Sequence, residues 1–450
     1  MLGQPSSRAS IWPLLLAAPR RLQAVCSTAD LPVTADPSRF PAEFLARNSG
    51  GQDFAATSHY SDRVCAAEET FRRIEPCLAG HGVTRLGRLT ALDRIGIPVW
   101  QAVSPNARSI VINNGKGITD LDAKVSAAME ALERTVAGAP AVKTVSARRQ
   151  ELLAKGQHAD PLPSLIASGQ ADIADDEEIA WVEGHDLIAD RNVWIPFGAV
   201  TLDRTCRNPR FWQSSDGLAS GNMLTEAILH GLLERIERDA KELWDVSEPA
   251  LRMDTCIEPA SLADPLLNEL LRKIAGADLT LKLFDMTSNV EIPAFAAFLG
   301  PVEISRAKYV RYLDVTMGCG AHPSSVRAAI RAVTEAAQSR LTFISGARDD
   351  IHPDDFTRKL PESIRRCFDA VAKPVARPDE ALAHGAEALL HLTLERVHKA
   401  GINSAIAVSL GDPSLPFAVA KLVVPQLENP AGDRKRRFGY RAISKTLQLL

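Results

Sequence analysis

Hydrophobic and polar positions along this chain recur with two periods, one near 3.6 residues and one near 2, and they hand over to each other several times. In DRVCAAEETFRRIEPCLAGHGV (62–83), Ala66, Thr70, Ile74 and Cys77 or Leu78 recur at helical intervals and Gly80 gives a stop. IPVWQAV (97–103) and SIVINNG (109–115) are β-branched and apolar, and predict a strand pair joined across SPNAR. EIAWVEGHDL (178–187) and NVWIPFGAVTL (192–202) predict a second pair. LKLFDMTS (281–288), IPAFAAFLG (292–300) and YVRYLDVTMGCGAHP (309–323) predict further strands. Between them, residues 138–176 form a Pro-interrupted, helix-bearing excursion. Helical periodicity returns in SAAMEALER (126–134), GNMLTEAILHGLLERIERDA (221–240) and AVTEAAQSR (332–340). Strand pairs that alternate with helices point to an α/β or α+β fold that brings several helices to one site.

Those last three helices hold six glutamates beside small or apolar residues. A helix turns about 100° per residue, so Ser126, Glu130 and Glu133 share one strip. Asn222, Glu226 and Glu237 stack along a face of the second helix, with Glu234 roughly 80° round from Glu226. Glu335 and Gln338 are neighbours on the third. Carboxylates crowded in this way repel unless a cation sits among them, and Mg²⁺ on nucleotide phosphates is the usual cause of oxygen donors of this kind. For any one helix taken alone, solvated Glu–Arg pairs at i,i+3 and i,i+4 are the better explanation of the pattern, and the cation reading rests on the three together with their flanks. The polar, Gly-rich SSDGLASGN lead-in to the second helix is suited to a turn that carries backbone close to a ligand.

Composition narrows the class. The chain has 450 residues, 46% hydrophobic and 24% charged, with a formal net charge of −3, which suits a folded globular protein and offers no basic excess for nucleic acid. Its seven cysteines are scattered without a C-x-x-C arrangement, against a disulfide framework or a zinc knuckle and in favour of a reducing cytoplasm. The apolar run IWPLLLAA (11–18) is broken by Pro13 and too short to span a bilayer, so a membrane location is not expected. Residues 1–55 read as a poorly ordered extension, 56–428 as the working domain and 429–450 as a basic tail. The run DRKRRFGYR (433–441) is expected to be solvated, or to touch an acidic leader peptide or partner. NNGKGIT is not a phosphate loop, since Ile110 and Gly117 occupy two obligatory Walker positions. Rossmann, nucleophile-elbow and zinc-helix motifs are absent from the sequence as well. His322 is expected at a helix start and Cys319 as a packed thiol.

The succession TRLGRLTALDRIGIPVWQAVSP, NNGKGITDLDAKVSAAMEALER, WVEGHDL, GLASGNMLTEAILHGLLERIERDA and GCGAHPSSVRAAIRAVTEAAQSRLTFISGARDD resembles the YcaO family over roughly residues 60–425. The resemblance implies that family's α/β (α+β) architecture, with ATP held between subdomains. It also implies ATP- and Mg²⁺-dependent chemistry on a peptide-backbone amide, whose oxygen is phosphorylated and then displaced. Carried over residue by residue, Glu130, Glu133, Glu226, Glu237 and Glu335 would hold Mg²⁺. Arg63, Thr70, Ser126, Asn222, Glu234, Arg238, Gln338 and Arg340 would face the nucleotide; for Arg238 an i,i+4 pair with Glu234 or Glu242 is the alternative.

The chain lacks the proline-rich ending of azoline-forming members and resembles the branch that works with a TfuA partner. That branch implies insertion of sulfur to give a thioamide, with sulfide from an external donor, a peptide or protein substrate delivered by another protein, and possible homodimers. Azoline cyclodehydration and a non-catalytic ATP-binding scaffold are the alternatives.

Overall fold

A computed structural model describes residues 60–375, 385–429 and 439–447. The 1–55 extension lies outside them, as do residues 430–438 of the basic tail. All described residues belong to one unit that begins at Phe40.

The helices are α1 (Ala67–Leu78), α2 (Asp120–Gly138), α3 (Leu224–Asp245), α4 (Pro265–Gly276), α5 (Ser325–Ser345), α6 (Ala386–Lys399) and α7 (Tyr440–Leu447), besides several single turns. The strands are β1 (Arg85–Arg88), β2 (Val99–Val103), β3 (Ile112–Lys116), β4 (Thr144–Arg148), β5 (Glu178–Asp186), β6 (Arg191–Pro196), β7 (Leu218–Gly221), β8 (Cys256–Ile257), β9 (Leu279–Asp285), β10 (Ala294–Pro301), β11 (Thr316–Ala321), β12 (Ile406–Ser409) and β13 (Ala418–Val423). They build three sheets in the orders β1-β2-β3, β11-β10-β9-β8 and β4-β5-β12-β13-β7, with β6 on β5. Every ladder between these strands is antiparallel, so α+β is the apter of the two expected classes.

Both predicted pairs form: β2 faces β3 with Val99 opposite Lys116, and β5 faces β6 with Trp181 opposite Pro196. The strand expected over 192–202 stops at Pro196, because Phe197–Ala199 tightens into a 3₁₀ turn. Of 309–323 only Thr316–Ala321 is strand, since Tyr312–Asp314 turns instead. The Gly-rich lead-in to α3 holds a strand: Leu218–Gly221 closes the edge of the largest sheet against β13. Within it Gly217 does make the expected turn, at φ +73°, and a Cβ there would meet the Leu422 carbonyl at 2.3 Å. Arg441, read as part of a solvated tail, bonds both carboxylate oxygens of buried Asp239 at 2.8 Å and anchors α7.

The unbroken apolar run of β10 reflects burial on both faces. Ala294, Ala296 and Phe298 pack with Leu229 and Ile236 of α3, while Phe295, Ala297 and Leu299 pack with Ala329 and Val333 of α5. Helix α3 thus lies between the four-stranded sheet and strands β7 and β13 of the largest one. Helix α2 covers β2 and β3 and also reaches β7, and α5 covers β10 and β11 and reaches β3. The three glutamate helices meet where the three sheets meet.

Candidate functional site

Each glutamate helix starts a few residues after a strand: α2 after β3, α3 after β7, α5 after β11. Two of the starts are side-chain capped. Thr119 accepts from the Asp122 N–H at 3.1 Å while Asp122 returns a bond to the Thr119 N–H, and Ser324 accepts from the Arg327 N–H at 3.4 Å. These caps set where each helix begins, and so which turn its acids occupy.

The acids converge as an interleaved set of charges. Glu130 accepts from Arg134 Nε at 3.1 Å, and buried Glu133 accepts from the Ser220 hydroxyl at 3.0 Å. Arg238 lies 3.4 Å from Glu234, 3.7 Å from Glu237 and 3.8 Å from Asp216. Glu234 also accepts from the Gly217 N–H at 3.1 Å. Glu335 pairs with Lys116 Nζ and accepts from the Cys319 N–H at 3.3 Å. Arg238 therefore makes the expected i,i+4 pair with Glu234 and lies within the cluster at once. No three carboxylate, imidazole or thiol groups among the described residues surround a common point. Arg134, Arg238 and Lys116 stand between the acids instead.

Electrostatics test the fit of a cation. Burial, reinforced by Glu130 and Glu234 against the pull of Arg134, pushes the Glu133 carboxyl up to about 8. Burial, with Glu335 and Glu234 adding to it against Arg238 and Lys116, pushes Glu237 up to about 7. Burial would raise Glu335 too, but Lys116 and Arg238 outweigh it and hold that carboxyl low. The acids exceed the cations available to them, and their hard oxygen donors suit Mg²⁺.

A measurable consequence follows from the raised pair. Below about pH 7 the metal-free protein carries protons on both Glu133 and Glu237, which a metal coordinated by these carboxylates would displace. Calorimetry in buffers of different ionisation enthalpy should show proton release on binding Mg²⁺ with nucleotide, fading as the pH rises past about 8. Raised acids stabilise the fold below their unfolded pKa, and that contribution disappears as pH rises through the folded value. The metal-free protein should therefore lose stability between about pH 4.5 and 8 through these groups, less so in Glu133→Gln. A thermal-melt difference between the two that does not change with pH would contradict this.

A second group joins the first through Ser220. The Ser220 carbonyl accepts from Arg63 Nη1 at 3.2 Å while its hydroxyl serves Glu133. Arg63 also reaches Glu226 at 3.4 Å. Glu226 further accepts from the Val64 N–H, and from the Asn222 N–H and side-chain amide at 2.8 and 3.1 Å. The Thr70 hydroxyl donates to Asn222 at 2.9 Å. Arg63, Thr70, Asn222 and Glu226 are thus one hydrogen-bonded group, and both Glu226 oxygens are engaged by protein donors. Ser126 lies a turn before Glu130. The Gln338 amide donates to the Asn114 carbonyl at 2.7 Å, on the strand that carries Lys116. Arg340 Nε lies 3.5 Å from Asp93.

Lys116, Arg134 and Asp216 are members that the sequence reading did not select. Arg134 was detectable, since it follows Glu130 by four residues. Lys116 and Asp216 lie on β3 and in the lead-in to β7, and only folding brings them near α5 and α3. His322 sits at the start of α5 as expected, accepting from the Ser324 N–H at 2.9 Å and donating to Asp62 at 2.8 Å. Cys319 is buried, and burial, with Glu237 next, pushes its thiol up, as suits a packed side chain.

Residues 114–428 match the family model described as YcaO cyclodehydratase, ATP- and Mg²⁺-binding. The chain belongs to the YcaO family. Its relatives include an uncharacterized protein encoded in the tfuA 3′ region of Rhizobium leguminosarum bv. trifolii, 38% identical over 414 residues, covering 89% of this chain and 95% of that one. An uncharacterized protein of Methanothermobacter thermautotrophicus is 32% identical over 383 residues, covering 82% and 95%. Among solved structures, YcaO from Methanopyrus kandleri bound with AMPPCP and Mg²⁺ superposes with a TM-score of 0.64 at 23% identity, covering 86% of this chain and 98% of that one. A heterocyclase in complex with substrate and cofactor superposes with a TM-score of 0.66 at 22% identity, and this YcaO chain spans 53% of its length. No helix among the described residues is long and apolar enough to cross a membrane.

Proposed function

We propose that this YcaO protein uses ATP and Mg²⁺ to replace the oxygen of a peptide-backbone amide, with sulfide as the replacing nucleophile. The observation that carries this reading is the meeting of Glu130, Glu133, Glu234, Glu237 and Glu335, from three separate helices, around Arg134, Arg238 and Lys116. Glu130, Glu133, Glu226, Glu237 and Glu335 would hold the metal. Arg63, Thr70, Ser126, Asn222, Glu234, Arg238 and Gln338 would line the phosphates, with Arg340 joining them by leaving Asp93. Mg²⁺ bound there would neutralise phosphate charge as the γ-phosphoryl group is transferred.

In this reaction the amide oxygen bonds to phosphorus, the amide proton leaves and ADP departs. Hydrosulfide then forms a C–S bond as the C–O bond breaks, and phosphate leaves with the electron pair. The hydrosulfide proton passes to the amide nitrogen, giving a thioamide, ADP and phosphate. Arg63 and Arg238 keep fixed positive charge near the departing phosphate.

Sulfide is favoured by the relative encoded beside tfuA, which supports a TfuA-like partner and an external sulfide donor for this chain. The family's cyclodehydratase description and the heterocyclase likeness favour a second reading, ring closure by a Cys, Ser or Thr side chain. Mass spectrometry of a candidate peptide incubated with the protein, ATP, Mg²⁺, sulfide and a TfuA-like partner separates them. Exchange of oxygen for sulfur is the expected result. Loss of water establishes cyclisation instead, and bound ATP without any turnover establishes a scaffold.

A further inference from the structure

Beside Arg63 and Glu226 lies a half-open cavity of about 130 Å³, bordered by the segment before α1, the first turns of α3, the start of α5 and Ala386 of α6. It is far too small for a nucleotide or a peptide and has room for only a few waters. Its charges do not cancel. Arg327 pairs with Asp62, and Arg63 with Glu226. Among the described residues Arg331 has no carboxylate within ion-pair distance, although Asp62 and Glu237 favour its charge from further off; its guanidinium meets the Ala321 carbonyl at 3.1 Å and His230 Nδ1 at 3.5 Å. Because Nδ1 of His230 accepts from Arg331, the neutral ring carries its proton on Nε2, which has no hydrogen-bond partner among the described residues. Burial, followed by Arg331 and Arg63, holds His230 in that neutral state by pushing its pKa down. Leu229, Leu233 and Ile330 complete the walls with apolar surface.

We propose that this cavity binds the nucleophile as a small, weakly hydrated monoanion, hydrosulfide, between the Arg331 guanidinium and the His230 N–H. The proposal rests on the sulfide reading above and names where that substrate waits. A partly buried guanidinium with no carboxylate in contact favours an anion, and the apolar walls favour a soft singly charged one over a heavily hydrated phosphate. The shared wall matters for chemistry. Arg63 and Glu226 border both the cavity and the group proposed to receive the phosphates, so an anion held here would lie beside that group.

The test is anaerobic calorimetry on the full chain with AMPPCP and Mg²⁺ present, titrating sodium hydrosulfide and, separately, inorganic phosphate. Arg331→Met should weaken hydrosulfide binding by roughly tenfold or more, the loss expected of one charge-assisted contact. Arg331→Lys should restore part of it, and AMPPCP affinity should stay within about twofold in both. Should Arg331→Met fail to fold, His230→Phe supplies the same comparison. Hydrosulfide affinity indifferent to these changes, or a wild-type cavity that takes phosphate and not hydrosulfide, overturns the proposal. Failure of the wild type to bind AMPPCP with Mg²⁺ overturns the underlying nucleotide reading instead, so the two failures are distinguishable.

Discussion

Replacing Glu237 by Gln should abolish Mg²⁺-dependent ATP turnover while making the metal-free protein more resistant to heat. These opposite signs have one cause. Glu237 is buried among Glu234 and Glu335, with only Arg238 and Lys116 to offset them, and its carboxyl is pushed up to about 7. Ionising it without a metal costs free energy that a neutral amide of the same shape avoids. With the metal, the same negative charge is the ligand, and Gln is a poor substitute for it. Turnover should fall by a factor on the order of a thousand, the scale of losing a principal electrostatic contact in a transition state. The melting temperature of the metal-free variant should rise, and the further rise that Mg²⁺ and nucleotide give the wild type should shrink or vanish. Glu130→Gln should lose activity to a comparable degree, because its carboxylate also faces the cluster through Arg134. Unchanged ATPase in either variant, with a normal circular dichroism spectrum, would refute the assignment of the site.

A change with no chemistry of its own should be as damaging. Gly115 on β3 lies so close under α2 that a Cβ would stand 2.0 Å from the Ala127 nitrogen and 2.3 Å from the Ala123 carbonyl oxygen. Gly318 on β11 repeats the arrangement under α5, at 2.2 Å from the Ala336 nitrogen and 2.3 Å from the Ala332 oxygen. In both places the obstacle is helical backbone, which cannot rotate away as a side chain could. Gly115→Ala or Gly318→Ala must lift the helix from its sheet and shift Glu130 and Glu133, or Glu335, with it. A loss of roughly 3 kcal/mol or more is expected, the scale of severe overpacking, together with loss of ATP turnover. Chemical denaturation and the soluble yield measure the first effect. Gly156→Ala, where nothing lies within 4 Å of a Cβ, serves as a surface comparison with only its positive φ, 72°, to resist it. Equal stability of the two kinds of variant would show that the close helix–strand approach is not what positions the acids.

Different parts of the fold were legible to different degrees. The strand pairs β2–β3 and β5–β6 could be read because β-branched runs were separated by turn-forming residues. β7 was harder: LASG carries one large apolar side chain, and a short Gly-containing strand resembles a turn until β13 supplies its hydrogen bonds. Cys256–Ile257 is strand through its partners, β9 on one side and a bridge to Lys373 on the other. The solvated reading of Arg441 failed for a related reason. A basic run carries no mark of a buried acid such as Asp239 about two hundred residues away.

By itself the sequence determined the periodicity that makes α2, α3 and α5 helices, the face on which each glutamate stands, and the ordered series of motifs that places the chain among YcaO proteins. Those features are local or collinear, and residue spacing alone expresses them. Only the tertiary structure decided that the three faces turn toward one another. It also decided that Lys116 and Asp216 stand among the acids, that Arg340 lies beside Asp93, and that Arg331 faces a small cavity with no carboxylate of the described residues within ion-pair distance. The reason is physical: burial and charge–charge coupling depend on distances across the packed core, and those are set when the sheets close around α3.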